Sequence, residues 1–213
     1  MELRRTANAG FLLRLDGVTI AMDGVCLEVP PYQATPPAEL ARLQAAPPDL
    51  LTFTHGHADH FDPAFAAAFP GPIVGPGSLL PGRAVTDGPF SLRGVQIIPV
   101  STRHIGKPGL TTAHRSFIIE GSRRIWFTGD AAPTQLPALA PFGPVQVLIA
   151  PFAYATGAGA VELVNAAAPQ LLVLTHLPEQ AQDPAGLWPA VRAFLPRLAM
   201  PVVIPAMGQT IAI

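Results

Sequence analysis

Three histidines and one aspartate lie within six consecutive residues, His-Gly-His-Ala-Asp-His at positions 55–60. The apolar run before them predicts a buried strand, and the alanine-rich stretch after them predicts a helix. The hexapeptide is therefore expected on a loop between a strand and a helix. On such a loop His55 and His57 point the same way, because alternate residues of an extended segment share a face. Asp59 and His60 then turn towards a second point nearby.

The residue types in this hexapeptide are those of a metal site. Neutral imidazole and carboxylate suit zinc, and iron or manganese less exclusively. Four such donors on one short loop are more than a single ion usually takes, so the loop predicts two metal ions that share it. Chance clustering of capping or surface histidines is the alternative. Half of the chain's 6 histidines fall in this one stretch with an aspartate among them, which favours the metal site.

The string His-x-His-x-Asp-His after an apolar strand resembles the signature of the metallo-β-lactamase superfamily. Members carry a further His, then a Gly-Asp pair after a strand, and then a last His after another strand. The matching residues here end strand-like runs and occur in that order: His104, Asp130 and His176. The segment 17–24 resembles the second strand of the fold, whose terminal aspartate, here Asp23, braces the metal loop.

This resemblance implies an α+β fold, a four-layer αββα sandwich in which two mixed sheets pack face to face with helices outside. It also implies a metal ligand for each matching position. These are His55, His57 and His104 for a first divalent ion, Asp59, His60 and His176 for a second, and Asp130 as the bridge between them. Zinc is favoured, with manganese or iron open. The two ions would share a water, lower its pKa towards ~7 and so supply a hydroxide nucleophile, which Asp59 would help to orient.

Two residues outside the ligand set are candidate catalytic residues. His114 precedes a strand predicted at 116–120, and it either contacts substrate or acts as an acid, or is an ordinary surface histidine. Tyr154 belongs to a loop with Gly157 and Gly159 that is expected at the mouth of the site. Its hydroxyl either donates a hydrogen bond to a developing oxyanion or is structural.

Three basic residues flank two of the later histidines: Arg103, Lys107 and Arg115. They either hold an anionic substrate or form a solvated face. Cys26 is the only cysteine, so no intrachain disulfide can form. We expect it to be a small core residue in a strand-like segment without a catalytic role, because no thiol-activating motif surrounds it.

Composition narrows the class of protein. Hydrophobic residues make up 49% and charged residues 13%, as in a globular protein, and 213 residues suit a single domain over 1–213. The net charge of −1 with no basic run argues against a nucleic-acid surface. The basic start is not followed by a signal-peptide core, and no run reaches the ~18 apolar residues of a membrane span. A cytoplasmic protein without membrane contact is therefore expected.

Apolar periodicity and turn residues predict the order of strands and helices. Strands are predicted at 11–15, 18–22, 50–54, 73–74, 90–92, 95–100, 116–120, 124–128, 145–150, 171–175, 202–204 and 210–213. Helices are predicted at 37–43, 63–69, 159–168 and 187–194. Strands come first in runs and then alternate with helices, which agrees with the sandwich.

Within the superfamily, the spacing is most similar to the branch of the ascorbate-phosphate lactonases and related small metal-dependent hydrolases. This implies a hydrolase whose partner is a small-molecule substrate: an ester, a lactone or a phosphodiester. The sequence has no Lys/Arg-rich arm such as the transfer-RNA-processing nucleases carry, and no flavodoxin-like half. It has His57 where the diiron oxidoreductases have Glu. A phosphodiesterase or nuclease of the same fold, and a non-catalytic metal-binding protein that has kept the ligands, remain as alternatives.

Overall fold

The computed structural model describes residues 1–106 and 112–213, and within these ranges two mixed β-sheets pack face to face. The first sheet has the order β13-β1-β2-β3-β4-β5, with strands β1 (Glu2–Arg5), β2 (Phe11–Leu15), β3 (Val18–Met22), β4 (Leu50–Thr52), β5 (Ile73–Val74) and β13 (Thr210–Ala212). Its strands β3, β4 and β5 are parallel and the remaining pairs are antiparallel.

The second sheet has the order β12-β11-β10-β9-β8-β7-β6. Its strands are β6 (Phe90–Leu92), β7 (Val95–Ser101), β8 (Arg115–Glu120), β9 (Arg124–Phe127), β10 (Val147–Pro151), β11 (Leu171–Thr175) and β12 (Val202–Val203). Strands β6 to β9 are antiparallel, and β9 to β12 are parallel. Because β9, β10 and β11 run in one direction, the segments that follow β9 and β11 emerge at the same edge of the sheet.

Alternation along the strands divides the apolar side chains between three layers of core. In β8, Phe117 and Ile119 pack between the two sheets, while Ile118 packs on the outer face of the second sheet. In the first sheet, Leu13 faces the second sheet and Leu12 faces outwards. A strand buried on both faces reads as a continuous apolar run, which is why β8 and β10 could be found from the sequence.

Helices cover both outer faces. The first sheet is covered by α1 (Pro37–Ala45) and α2 (Pro63–Ala68), and the second by α3 (Leu136–Leu139), α4 (Ala158–Ala167) and α5 (Leu187–Phe194). The layers are therefore helices, sheet, sheet, helices, and the predicted αββα sandwich is confirmed. No helix of the described residues is long and apolar enough to cross a membrane.

The predicted strands and helices are all present, with shifts of a few residues at their ends, but one strand and one α-helix of the described residues were missed. Strand β1 has only one apolar residue, Leu3, between charged neighbours. Arg4 forms an ion pair with Glu39 of α1, 2.6 Å from Nη2 to Oε1, and the buried Arg5 donates to backbone carbonyls. Helix α3 was missed because prolines surround it, and a proline-rich stretch reads as a loop.

Candidate metal centre

The hexapeptide 55–60 lies on the loop between β4 and α2, as predicted. The loop ends where Asp62 caps α2, because its carboxylate accepts hydrogen bonds from the backbone N–H groups of Ala64 and Phe65, and Pro63 occupies the first helical turn. The segments after β7, β9 and β11, which carry His104, Asp130 and His176, reach the same place. All seven residues implied as metal ligands are thereby brought together.

The first three of these residues form one compact group. The ring centroids of His55 and His57 lie 4.5 Å apart, and that of His104 lies 4.7 Å from His55 and 4.8 Å from His57. The Nε2 atoms of His55 and His104 are 3.2 Å apart. One nitrogen from each of the three rings lies within 4.8 Å of the others, so the group is able to hold one metal ion.

The second group lies beside the first. The Nε2 atom of His176 is 3.1 Å from Asp59 Oδ2, and that of His60 is 4.0 Å from the same oxygen. Asp130 stands between the groups: its Oδ2 atom lies 3.4 Å from Nε2 of His60, 3.5 Å from that of His176 and 3.6 Å from that of His104. Asp130 thus occupies the position of a bridge.

Asp23, fully buried at the end of β3, holds the metal loop in place. Its carboxylate accepts hydrogen bonds from the backbone N–H of Thr54 at 2.7 Å, the hydroxyl of Thr54 at 2.6 Å and Nδ1 of His60 at 2.9 Å. The bracing role that the resemblance implied for Asp23 therefore has a geometric basis.

These hydrogen bonds also determine which ring nitrogens carry protons. A carboxylate only accepts, so Nδ1 of His60 is the protonated nitrogen. The hydroxyl proton of Thr54 goes to Asp23, so Thr54 Oγ1 accepts from Nδ1 of His55 at 2.9 Å. Nδ1 of His104 donates to the carbonyl of Ile105. The Nε2 atoms of His55 and His104 are left with free lone pairs, as in metal-binding histidines whose other nitrogen is held by a hydrogen bond, and Nε2 of His60 becomes available as a ligand when its proton leaves.

A glycine at position 129 permits the close approach of two of the contributing loops. A Cβ atom there would lie 2.5 Å from Cγ2 of Thr54, and the backbone φ of +51° is in the left-handed region. The glycine before Asp130 is therefore required for steric reasons. Only glycine allows the backbone to turn this close to Thr54 and so to place Asp130 beside the metal loop.

The charges of the cluster are those of a cation site. Burial raises the pKa of Asp130, but the imidazoles of His176 and His60 outweigh it and hold that pKa well below its usual range. Burial lowers the pKa of His60, but Asp130 and Asp23 outweigh it and hold that pKa well above its usual range. Burial next to other imidazoles lowers the pKa of His55 far below its usual range.

Several buried polar atoms of the cluster have no hydrogen-bond partner among the described residues: Nε2 of His60, Oδ1 of Asp130 and Nδ1 of His176. Unpaired buried polar atoms are costly and need an explanation such as a bound ion. Imidazole nitrogens and carboxylate oxygens at these separations are also the ligands that zinc, manganese and iron accept. The residues present therefore fit a divalent metal.

We expect metal affinity to rise with pH. In the metal-free chain the two carboxylates keep His60 protonated, so a metal ion that uses Nε2 must displace that proton. For each proton displaced, the metal affinity rises by up to about tenfold per pH unit. Calorimetric titration of metal at about pH 6 and about pH 8, in buffers of different ionisation enthalpy, measures the proton release. Equal affinity at both values with no proton release would contradict this use of His60.

The structure corrects the surface interpretation of His114. This residue is 2% exposed, and its ring centroid lies 5.1 Å from that of His55 and 5.7 Å from that of His104. Burial lowers its pKa to about 3, so the ring is neutral at ordinary pH. Its Nε2 atom is buried and has no hydrogen-bond partner among the described residues. His114 thus lies beside the first metal group without belonging to it.

Tyr154 does not line the mouth of the site, so its predicted position is wrong. It is fully buried in the core between the second sheet and its helices. Burial raises the pKa of Tyr154. Its hydroxyl lies near Thr128 but forms no hydrogen bond with any described residue. The loop leaves β10 as a short 3₁₀ turn that folds Tyr154 inwards, which the neighbouring glycines did not indicate.

Of the three flanking basic residues, Arg115 is paired with Asp87, with Nε 2.6 Å from Oδ1, so it is not free to hold an anion. Arg103 is exposed and donates to Thr134 Oγ1 at 3.3 Å. Lys107 lies outside the described residues. Cys26 is buried as predicted, but in a loop rather than a strand.

One aromatic residue next to the cluster was not predicted. The ring of Tyr32 packs edge-on against His176, with 4.3 Å between centroids. Burial raises its pKa to about 12, with smaller contributions from Asp130 and Asp59. Tyr32 follows two prolines in an irregular loop, and nothing in that local pattern connects it with a histidine far along the chain.

Comparison with known proteins agrees with the fold and the cluster. Residues 2–176 match a family model described as a beta-lactamase superfamily domain. A comparison with curated proteins finds no sequence match.

Solved structures with the same fold include enzymes of different kinds. A possible metal-dependent hydrolase from Veillonella parvula has a TM-score of 0.77 at 15% identity, over 100% of this chain and 99% of that one. An isothiocyanate hydrolase from Delia radicum gut bacteria has a TM-score of 0.67 at 16% identity, over 100% and 99%. CmlA, a diiron β-hydroxylase from Streptomyces venezuelae, has a TM-score of 0.71 at 17% identity, over 100% of this chain and 54% of that one. At these identities the likeness concerns the fold alone.

Proposed function

Because the chain belongs to the β-lactamase superfamily, we propose that it is a metal-dependent hydrolase of a small-molecule ester, lactone or phosphodiester. The observation that carries this proposal is the complete cluster of seven His and Asp residues with Asp130 between its halves. A non-catalytic metal-binding protein would not need to keep both three-residue groups and Asp130 between them. We further propose that the cluster holds two divalent ions, zinc first among the candidates, and that the seven residues are their ligands.

Divalent ions held here would supply an acidified water and a Lewis acid for the bond to be cleaved. The chain's own contribution is to fix the donors. Asp23 and Thr54 hold the rings of His60 and His55 in place through their Nδ1 atoms, so both Nε2 atoms already face the cluster. Oδ2 of Asp59 lies 3.1 Å from Nε2 of His176. The Asp59 carboxylate is therefore able to orient a water between the two metal groups by accepting a hydrogen bond from it.

We assign His114 the role of a hydrogen-bond acceptor at this site. The hydroxyl of Ser116 donates to the carbonyl of Thr128 at 3.1 Å, so the hydroxyl of Thr102 donates to Ser116 at 3.0 Å. Thr102 Oγ1 must then accept from Nδ1 of His114 at 2.8 Å. This chain of donors fixes Nε2 of His114 as an unprotonated nitrogen beside His55 and His104, ready to accept a hydrogen bond from substrate or water.

Replacing His114 by alanine should leave the metal content unchanged and lower kcat by about tenfold, the effect of losing one hydrogen bond to the reacting groups. Elemental analysis and steady-state kinetics on the same preparation measure the two effects. Ser116→Ala is a matched control, since it loosens the donor chain without removing the ring, and a smaller loss of kcat is expected. Loss of metal from His114→Ala would make His114 a ligand instead.

Replacing Cys26 by serine should leave turnover within about twofold of the parent protein, because the proposed mechanism uses no thiol and burial raises the pKa of Cys26. Initial rates at saturating metal are the measurement. A Cys26→Ser protein that is folded and metal-loaded but inactive would overturn the hydrolytic mechanism.

Turnover of three probes by the metal-loaded protein tests the function itself: p-nitrophenyl acetate, a simple γ-lactone and bis-p-nitrophenyl phosphate. Hydrolysis of the ester or lactone supports the proposal, and loss of that activity on chelation ties it to metal. Activity on the phosphodiester alone would favour a phosphodiesterase of the same fold. Metal binding without turnover of any probe would favour a non-catalytic metal-binding protein. Parallel loading with zinc, manganese or iron identifies the productive ion.

A further inference from the structure

A cavity of about 380 Å³ adjoins the second half of the metal cluster. Tyr32 lines it and also packs edge-on against His176, and Leu177, which lines it too, directly follows that histidine. The cavity therefore begins about one side chain away from a proposed metal ligand. Its size is within the range of cavities that hold small organic molecules, roughly 300–1,000 Å³.

Asn8 supplies a free polar group at this cavity. The residue is 3% exposed, lines the cavity and has no hydrogen-bond partner for its amide nitrogen among the described residues. Its backbone carbonyl is fixed, since it accepts from the hydroxyl of Thr175 at 3.1 Å and from Nη2 of Arg5 at 2.9 Å. A buried amide donor without an acceptor is the kind of group that a ligand oxygen satisfies.

Arg5 gives the same wall a positive charge. Its guanidinium is buried and donates to the carbonyls of Ala7, Asn8, Leu177 and Pro205. It makes no ion pair with a carboxylate among the described residues, which leaves its charge without a counterion. Burial lowers the pKa of Arg5 to about 10, so it is still cationic at neutral pH. Glu179 also lines the cavity; its exposed carboxylate forms no ion pair with Arg5 among the described residues and only partly opposes the lowering of the Arg5 pKa.

Most of the rest of the wall is aromatic and apolar, and Gln33, Glu179 and Gln180 are its other polar members. Trp188 is held by a hydrogen bond of 2.8 Å from its Nε1 atom to the carbonyl of Pro178, which fixes its ring at the cavity. Tyr32 stands on the metal side, and Ile204 and Met207 complete the apolar lining. A flat apolar group fits between such walls, while the amide and the positive charge select an acceptor that carries negative charge.

We propose that this cavity is the substrate-recognition pocket, and that the substrate is a small, flat, apolar molecule that bears a carboxylate next to Asn8 and Arg5. The inference rests on the proposed hydrolase and deepens it, because it assigns the non-reacting end of the substrate. The reacting bond would then extend past Tyr32 towards the metal cluster.

Binding of benzoate to the purified, metal-loaded protein tests this pocket without depending on turnover. The fluorescence of Trp188 is the readout, in a Trp126→Phe background so that only the cavity tryptophan reports. Benzamide, which has the same shape without the charge, is the matched ligand. We expect benzoate to change the Trp188 emission and benzamide to bind about tenfold or more weakly.

Asn8→Ala should weaken benzoate binding about 10- to 100-fold, because the amide donor to a charged acceptor is lost. Gln44→Ala removes an exposed amide from a different surface groove and should leave binding unchanged. If Asn8→Ala does not fold, Ala206→Trp offers a second test, since Ala206 is exposed at the rim and a large side chain there closes the cavity.

Equal binding of benzoate and benzamide, or no binding of benzoate, would overturn the carboxylate assignment. Benzoate binding that vanishes on chelation and ignores both variants would place the carboxylate on the metals and overturn the pocket. The outcome is separate from that of the hydrolase proposal: benzoate binding that depends on Asn8 in a protein that hydrolyses no probe would keep the pocket and reject the hydrolase.

Discussion

Replacing Asp130 by alanine is expected to remove metal from both halves of the centre, whereas replacing His176 by alanine should chiefly weaken the half that contains Asp59 and His60. Asp130 Oδ2 lies 3.4 to 3.6 Å from the Nε2 atoms of His60, His104 and His176, so it belongs to both groups. Among the described residues, the side chain of His176 lies within hydrogen-bonding or ion-pair distance of Asp59 and Asp130 alone. Activity of Asp130→Ala should fall by more than about 10²-fold, the upper cost of removing a residue that merely supports a ligand.

Elemental analysis after reconstitution and dialysis distinguishes the two variants. Asp130→Ala should retain well under one ion per chain, and His176→Ala about one. His57→Ala is the matched change in the first group, and it should also leave about one ion, in the other half. Equal metal content in Asp130→Ala and the parent protein would reject the bridge, even if the fold is unchanged.

Replacing Asp23 by alanine is expected to destabilise the fold by about 3–5 kcal/mol, the cost of removing one partner from a buried charged pair. Three donors lose their acceptor at once: the N–H and hydroxyl of Thr54, and Nδ1 of His60. All three groups are fully buried, so water cannot replace the carboxylate without opening the loop. Metal affinity should fall as well, because Nδ1 of His60 loses the acceptor that fixes the orientation of the ring.

Asp16→Ala is a matched control for this loss. Asp16 also accepts from the backbone N–H and hydroxyl of a single residue, Ser122, at 2.5 Å each, but it lies on the surface. Water takes its place, so only a small change in stability is expected. Urea unfolding of the two variants and the parent protein, all free of metal, gives the comparison. Similar midpoints for Asp23→Ala and Asp16→Ala would show that Asp23 does not brace the metal loop.

The candidate metal centre was predictable because each of its residues carries a local signal. His55, His57 and His60 lie in one hexapeptide, and Asp130 and His176 end apolar runs that can only be buried strands. The order of these runs matches the superfamily signature, and that resemblance implied the full ligand set. The parallel strands of the second sheet explain why the residues after β9 and β11 meet at one edge. The resemblance, together with strands that come first in runs and then alternate with helices, also predicted the four layers.

The remaining features depend on contacts between segments far apart in the sequence. Tyr32 reaches His176 from a proline-containing loop, and Asn8 is positioned by Thr175 and Arg5. Neither residue belongs to a periodic pattern, so no local signal marks it. The burial of His114 was missed for the same reason, since its environment comes from Thr102 and from the metal loop rather than from its own strand.

Strand β1 and Tyr154 show two further limits of local patterns. The charged residues of β1 look like a surface segment because their partners, Glu39 for Arg4 and backbone carbonyls for Arg5, lie elsewhere in the fold. The glycines near Tyr154 predicted an open loop, but the chain turns inwards after β10 and buries the ring. A partner or a turn of this kind is visible only in three dimensions.

The most direct test of the proposed metal-dependent hydrolase is the initial rate of ester hydrolysis as zinc is added stepwise to the metal-free protein. The proposal predicts no rate without metal, an increase with added zinc and a plateau at about two equivalents per chain, as expected for a two-ion site. A rate that is already present without metal, or that stays at the background of the buffer at every ratio of zinc to protein, would contradict it.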